Sequence, residues 1–120
     1  MRRVLPCVAM IAVAGACSYA VPDIADVPDN PTYERDVKPL LADHCLLCHS
    51  SPPNRGATNA FRLDRYGITD GVTGAQAYAE AVLNAVQSKR MPPAAKADDG
   101  MGPNGLRLLQ NWVERGVAER

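Results

Sequence analysis

Cys45-Leu46-Leu47-Cys48-His49 constrains this chain more than any other stretch. Two thiols three residues apart, followed at once by an imidazole, have the spacing of covalent haem attachment. The two sulfurs can reach two vinyl groups of one porphyrin while the adjacent ring meets the iron. A redox-active dithiol would instead follow a strand in a βαβ pattern, and no strand pattern precedes Cys45. A structural zinc site takes four ligands, and His44, Cys45, Cys48 and His49 lie too close together to close a tetrahedron easily. The motif therefore reads as a site for one c-type haem, bonded through Cys45 and Cys48, with His49 on the iron.

The N-terminus agrees with an exported protein. Arg2 and Arg3 precede an apolar run at 4–16 that is too short to span a bilayer as a stable helix, the pattern of a signal peptide. Two cleavage points compete. A cut before Cys17, after Ala14-Gly15-Ala16, leaves a lipid-modified N-terminal cysteine, whereas Ser18-Tyr19-Ala20 suits an ordinary signal peptidase cut before Val21. The first resembles a bacterial lipoprotein box with Ala14 in place of a larger aliphatic residue, and it is the preferred reading; a structural disulfide through Cys17 is the alternative. The expected organisation is a signal peptide at 1–16, a lipid-anchored flexible tether at 17–31 and the functional domain at 32–120. The expected location is the periplasmic side of a bacterial membrane. Cys7 leaves with the signal, so every cysteine has an assignment.

A chain of 120 residues suits one domain, but aromatic residues make up only 5%, with Trp112 and Phe61 the sole members of their types. The protein's own core is thin for its length, a gap that a large apolar cofactor would fill. Thirteen basic residues balance thirteen acidic ones and are scattered along the chain, which excludes the electrostatic footprint of a nucleic-acid binder. Loss of Arg2 and Arg3 with the signal leaves a mildly acidic protein that favours cationic partners.

The remaining pattern is helical. Three prolines and three aspartates at 21–31, without periodicity, predict an extended segment with little packing of its own. A helix is predicted from an N-cap at Thr32 towards Cys45, with Tyr33, Val37, Leu40 and Leu41 on one face and a kink or a restart at Lys38 because of Pro39. Prolines and glycines at 50–72 predict a loop that wraps the cofactor. A second helix follows, opened by a Thr73/Gln76 capping box, with Ala75, Tyr78, Ala79, Val82, Leu83 and Val86 at helical intervals and Lys89 and Arg90 at its end. Met91-Pro92-Pro93 stops it. Asp98-Asp99-Gly100 lacks the alternating ligands of a calcium loop and reads as a solvated turn. The last helix is predicted over about 105–115, capped by Asn104, with Leu108, Leu109, Trp112 and Val113 on its apolar face and Gly116 in the left-handed position after its end.

The second axial ligand has few candidates, because His44 and His49 are the only histidines. His44 adjoins the attachment motif and cannot easily cross to the opposite haem face; it reads as an exposed or packing residue. Met1 and Met10 leave with the signal, so Met91 and Met101 remain. Met91 follows a helix and is pinned by two prolines, which presents a thioether rigidly; Met101, between glycines, is the alternative, and an ordinary core methionine is the third reading.

Together these stretches carry a resemblance. Tyr33-Glu34-Arg35-Asp36-Val37-Lys38-Pro39-Leu40-Leu41, the Cys45 to His49 motif, Arg90-Met91-Pro92-Pro93 and the run LLQNWVERG at 108–116 look like the small class I type cytochrome c domains frequent in planctomycetes and myxobacteria. The likeness spans nearly everything from Tyr33 to Gly116. It implies an all-α, cytochrome c-like fold wrapped around one covalent haem, with the first and last helices crossing beside it. His49 and Met91 would lie on the iron, and Trp112 near the crossing. The function expected on these grounds is electron transfer between redox partner proteins, without substrate chemistry. A haem-based gas sensor or a peroxidase-like protein with a labile distal ligand is the alternative.

Overall fold

The computed structural model describes residues 22–50, 61–91 and 101–120. Cys17, both cleavage points and the Asp98-Asp99-Gly100 turn lie outside them. Among the described residues the protein is helical: bridges at Phe61 with Thr73 and Thr69 with Val72 are isolated, and no sheet forms. No helix there is long and apolar enough to cross a membrane.

Pro39 shapes the first helical segment. The chain enters as a π-helical stretch, Tyr33–Val37, in which Val37 N–H reaches the Thr32 carbonyl at 3.1 Å, and continues as α1, Lys38–His44, with Pro39 in its first turn. The expected restart at Lys38 is found. A proline ring crowds the carbonyl four residues back, and a wider preceding turn moves the Arg35 carbonyl clear of it. Tyr33, Val37, Leu40 and Leu41 are all buried, as their spacing predicts.

Three predicted caps are replaced by longer-range partners. Thr32 makes no side-chain cap; the Tyr33 and Glu34 N–H groups donate instead to the carbonyls of Ala118 and Glu119, at 2.8 and 3.0 Å. The Thr73/Gln76 box does not form at α3, Ala75–Gln87. Its first N–H groups donate to the carbonyls of Arg65 and Tyr66, which lie so close to Gly74 that a Cβ there would collide with them. At α4, Pro103–Glu114, the cap is Asp23: its two carboxylate oxygens accept from Asn104 and Gly105 N–H, each at 3.0 Å. The Asn104 side chain donates back to the Ile24 carbonyl at 2.9 Å.

Those last contacts revise the reading of the N-terminal segment. Residues 22–31 are extended as expected, but they pack. Ile24 and Val27 sit against the core, Pro31 is buried, and Asn111 of α4 donates to the Pro28 carbonyl at 3.2 Å. The segment is a strap across α4, because its two apolar residues and its free carbonyls find partners there that composition alone does not reveal.

The core lies where the first helical segment meets α4. Tyr33, with no exposed surface, and Trp112, 1% exposed, face each other with ring centroids 6.2 Å apart, and Tyr66 adds a third ring 5.6 Å from Tyr33. Burying a tryptophan removes on the order of 200 Å² from water, about 5 kcal/mol of gross stabilisation, so this contact outweighs any single cap. Leu63, Ala75, Ala79, Leu108 and Leu109 complete the core, and α3 packs along α4.

Both long helices end in the same way. After α4, Gly116 takes φ +88°, its N–H bonds the Val113 carbonyl and the next N–H bonds that of Trp112, closing a Schellman turn. After α3 the same two bonds join Lys89 to Val86 and Arg90 to Ala85, but the left-handed residue is Lys89, with φ 57°. A side chain in that conformation costs about 1 kcal/mol that glycine avoids. Lys89→Gly is therefore expected to stabilise the protein by about 0.5–1 kcal/mol, and Gly116→Ala to destabilise it by about 1 kcal/mol. Denaturant unfolding at constant m-value measures both.

Candidate functional site

α1 ends at Cys45, whose backbone leaves helical geometry at φ −125°, and a single further turn, α2, covers Leu46–His49. Cys48 and His49 both donate their N–H groups to the Cys45 carbonyl, at 3.1 and 2.9 Å. The two bonds close the chain around the Cys45 carbonyl and gather both thiols and the imidazole on one short turn. Cys45 and Cys48 are free thiols, and each is half-buried. Burial, reinforced by Cys48, pushes the Cys45 thiol up to about 12. A dithiol working by exchange needs the opposite shift, towards thiolate at neutral pH.

His49 is held from both sides. Its backbone carbonyl accepts from Leu63 N–H at 3.0 Å, and the Leu63 carbonyl accepts from the Tyr33 hydroxyl at 2.7 Å. Burial, with Glu34 and Asp64 adding to it, raises the Tyr33 phenol well above its ordinary range, so the hydroxyl keeps the proton it donates. The turn is thereby connected to the Tyr33/Trp112 core through one buried leucine. The imidazole itself stacks on Phe61 at 5.0 Å between centroids, and Phe61 stacks on Tyr78 of α3 at 4.4 Å.

Two features of this histidine suit it to iron. Burial lowers its pKa, which favours the neutral ring that can ligate a metal. Its Nδ1 is buried and finds no hydrogen-bond partner among the described residues, a polar atom left open to an additional group. Among the described residues no three or more His, Cys, Asp or Glu side chains converge as a protein-built metal cage would require. A porphyrin brings four nitrogens of its own and asks the chain for thiols to bond and one or two axial donors. The donor set on this turn fits that demand.

The two candidate distal methionines are placed differently. Met101 is held despite its flanking glycines: its side chain lies over Gly105, beside Leu40, where a Cβ on residue 105 would collide with its Cγ. It packs as a core methionine. Met91 follows the Schellman turn of α3, its N–H donating to the Ala85 carbonyl at 3.1 Å, and is 40% exposed. The structure brings Cys45, Cys48 and His49 together; Met91 stands on a separate element. The ring stack meets α3 at Tyr78, thirteen residues before Met91, with about 14 Å of helix between Tyr78 and the end of α3 at Gln87.

His44 is half-buried at the C-terminal end of α1. Phe61, Tyr78 and Leu63 were not singled out as site residues. Phe61 is the only phenylalanine of an aromatic-poor chain, and that scarcity is the one signal that could have marked it. No protein-family model, curated protein or solved structure matches the chain.

Proposed function

We propose that this protein is an exported carrier of single electrons with one covalent haem, of the cytochrome c kind. The observation that carries the reading is the Cys45 to His49 turn: two free thiols and an imidazole gathered on one short turn, with a buried Nδ1 that finds no partner among the described residues. Bound haem would supply an iron that cycles between Fe(II) and Fe(III). Cys45 and Cys48 would hold the group by thioether bonds, and His49 and Met91 would be the side chains that ligate its iron. Packing of Met101 on Gly105 supports this choice, since it commits that thioether to the core and leaves the Met91 thioether accessible. The Tyr33 to Leu63 to His49 hydrogen-bond series fixes the proximal residue in place, so little of the chain need move when an electron arrives. With His49 and Met91 both on the iron, small oxidants would find no open site, which favours a carrier over an enzyme.

A second reading draws on one observation. Met91 is 40% exposed and lies beyond the ring stack, the placement of a ligand that leaves readily. A gas sensor or a peroxidase-like protein would need that lability.

The protein is further proposed to be lipid-anchored at Cys17 on the periplasmic side of the membrane and to exchange electrons with redox partner proteins. Mass spectrometry of the mature N-terminus is expected to find a modified Cys17; an unmodified chain starting at Val21 would replace the anchor with a soluble form.

Protein made with the cytochrome c maturation machinery is expected to give a haem-stained band after denaturing electrophoresis. Cys45→Ala combined with Cys48→Ala should abolish it, and extraction of the haem by acid acetone from the wild type would sink the reading. The distal ligand is tested separately. The oxidised wild type should show the weak red charge-transfer band of thioether ligation and resist carbon monoxide when reduced. Met91→Ala should lose the band, fall in potential and bind carbon monoxide. Met101→Ala should keep the band while losing about 2 kcal/mol of stability, as a packed methionine does. A wild type without the band that binds carbon monoxide readily would favour the sensor or peroxidase reading.

A further inference from the structure

The backbone of His49 is anchored, but its ring is held by something else. The Leu63 N–H bond to the His49 carbonyl, at 3.0 Å, fixes the residue and leaves the side chain free to turn. A ligating histidine is usually oriented by a hydrogen bond at its second ring nitrogen, and Nδ1 of His49 is buried without such a partner among the described residues. The torsion about the Cβ–Cγ bond of an imidazole is broad and close to two-fold, so a contact on the ring itself has to settle it. That contact is aromatic. Phe61 lies against the imidazole with centroids 5.0 Å apart and planes tilted by only 17°, and Tyr78 backs Phe61 at 4.4 Å and 25°.

One short stretch grips His49 twice. Leu63 takes its backbone and Phe61, two residues earlier, takes its ring, as alternate residues of an extended chain can. Arg62 and Asp64, the other alternate pair, bond to each other. The Arg62 N–H donates to the Thr73 carbonyl at 2.8 Å, just before α3, and the first N–H groups of α3 donate to the Arg65 and Tyr66 carbonyls at 2.7 and 2.9 Å. Tyr78 stands in that first turn of α3. Phe61 and Tyr78 are therefore held relative to each other by backbone bonds outside the attachment turn. A metal meets an imidazole nitrogen along a lone pair in the plane of the ring, so a partner stacked on the face leaves that direction open. A leucine could fill the same space, but it would offer no plane to align with.

We propose that Phe61, backed by Tyr78, is a positioning residue for the iron-bound imidazole: the stack fixes the rotation of the His49 ring about its bond to the iron, and with it the haem edge towards which the unpaired electron of Fe(III) is directed. This rests on the haem reading above and is independent of which methionine ligates the iron.

The test uses the cyanide adduct of the oxidised, matured holoprotein. Cyanide displaces the distal ligand whatever its identity. Because cyanide is cylindrical, the imidazole plane then sets the asymmetry of the haem, which proton NMR reads as the order and spread of the haem methyl resonances. The wild type should show a wide spread in one fixed order. Phe61→Tyr, which keeps the plane, should reproduce it; Phe61→Leu, which keeps most of the volume, should lose the spread or reorder the resonances at equal haem staining. Tyr78→Leu should narrow the spread, and it decides the matter if Phe61→Leu is not recovered with haem. Asn111→Ala, which removes the strap's bond to Pro28 and lies outside the stack, should lower the melting temperature and leave the resonances in place. If Phe61→Leu keeps the wild-type order and spread and loses only stability, the ring is a filler and the proposal is overturned while the haem reading stands. A haem-bearing wild type whose methyl resonances already lie close together has the same consequence, and a wild type without covalent haem overturns both readings.

Discussion

The carbonyl of Ala118 accepts two hydrogen bonds, from Tyr33 N–H at 2.8 Å and from the Trp112 ring at 3.0 Å, and the packing of the whole domain is organised around that junction. It joins the start of the first helical segment, the last turn of α4 and the tail beyond it at one point. Trp112 could not be buried without a partner for its ring N–H, and the Tyr33 N–H would otherwise be an orphan at a buried helix start. One acceptor serves both. It reaches them because Gly116, at φ +88°, and Val117, at φ 59°, turn the chain sharply back along the helix it has just left.

From this junction the site is reached in three steps. Tyr33 is oriented by the junction, its hydroxyl holds Leu63, and Leu63 holds the carbonyl of His49. The attachment turn itself is short, four residues after a break at Cys45, and too small to hold its own geometry by intrahelical bonds. Its rigidity is borrowed from the core. That explains how an aromatic-poor chain can hold three chemically active side chains on one half-buried turn: the few rings it has lie at the crossing and in the stack of His49, Phe61 and Tyr78.

What could be read in advance followed the range of the interaction. The helical character, the restart at Lys38, the apolar faces of α1, α3 and α4 and the left-handed Gly116 depend on residues within one or two turns of each other, and each was legible. That Cys45, Cys48 and His49 share one short turn follows from their spacing in the same way. The caps were not legible. Thr32, Thr73 and Asn104 all have suitable side chains, but each helix start is satisfied by groups brought from elsewhere: Ala118 and Glu119, Arg65 and Tyr66, and Asp23. A local rule describes what a side chain can do, and the fold selects a remote carbonyl or carboxylate when it is already in place. Met101 illustrates the same limit in the opposite direction, since flanking glycines suggested looseness until Gly105, four residues on, proved to be the surface it packs against.

The strap changes how far this domain can stand from a surface. Had 18–31 been free chain, fourteen residues would separate the fold from an anchor at Cys17; with Asp23 fastened to α4, only the five residues at 18–22 remain between them. Six steps of extended chain reach about 20 Å, less than the width of a small domain at roughly 30 Å. A protein lipidated at Cys17 would be moored by the N-terminal end of α4, unable to roll over its own anchor. One hemisphere would face the bilayer and the other the periplasm, so the leash would sort electron partners by whether they approach along the membrane or from above it.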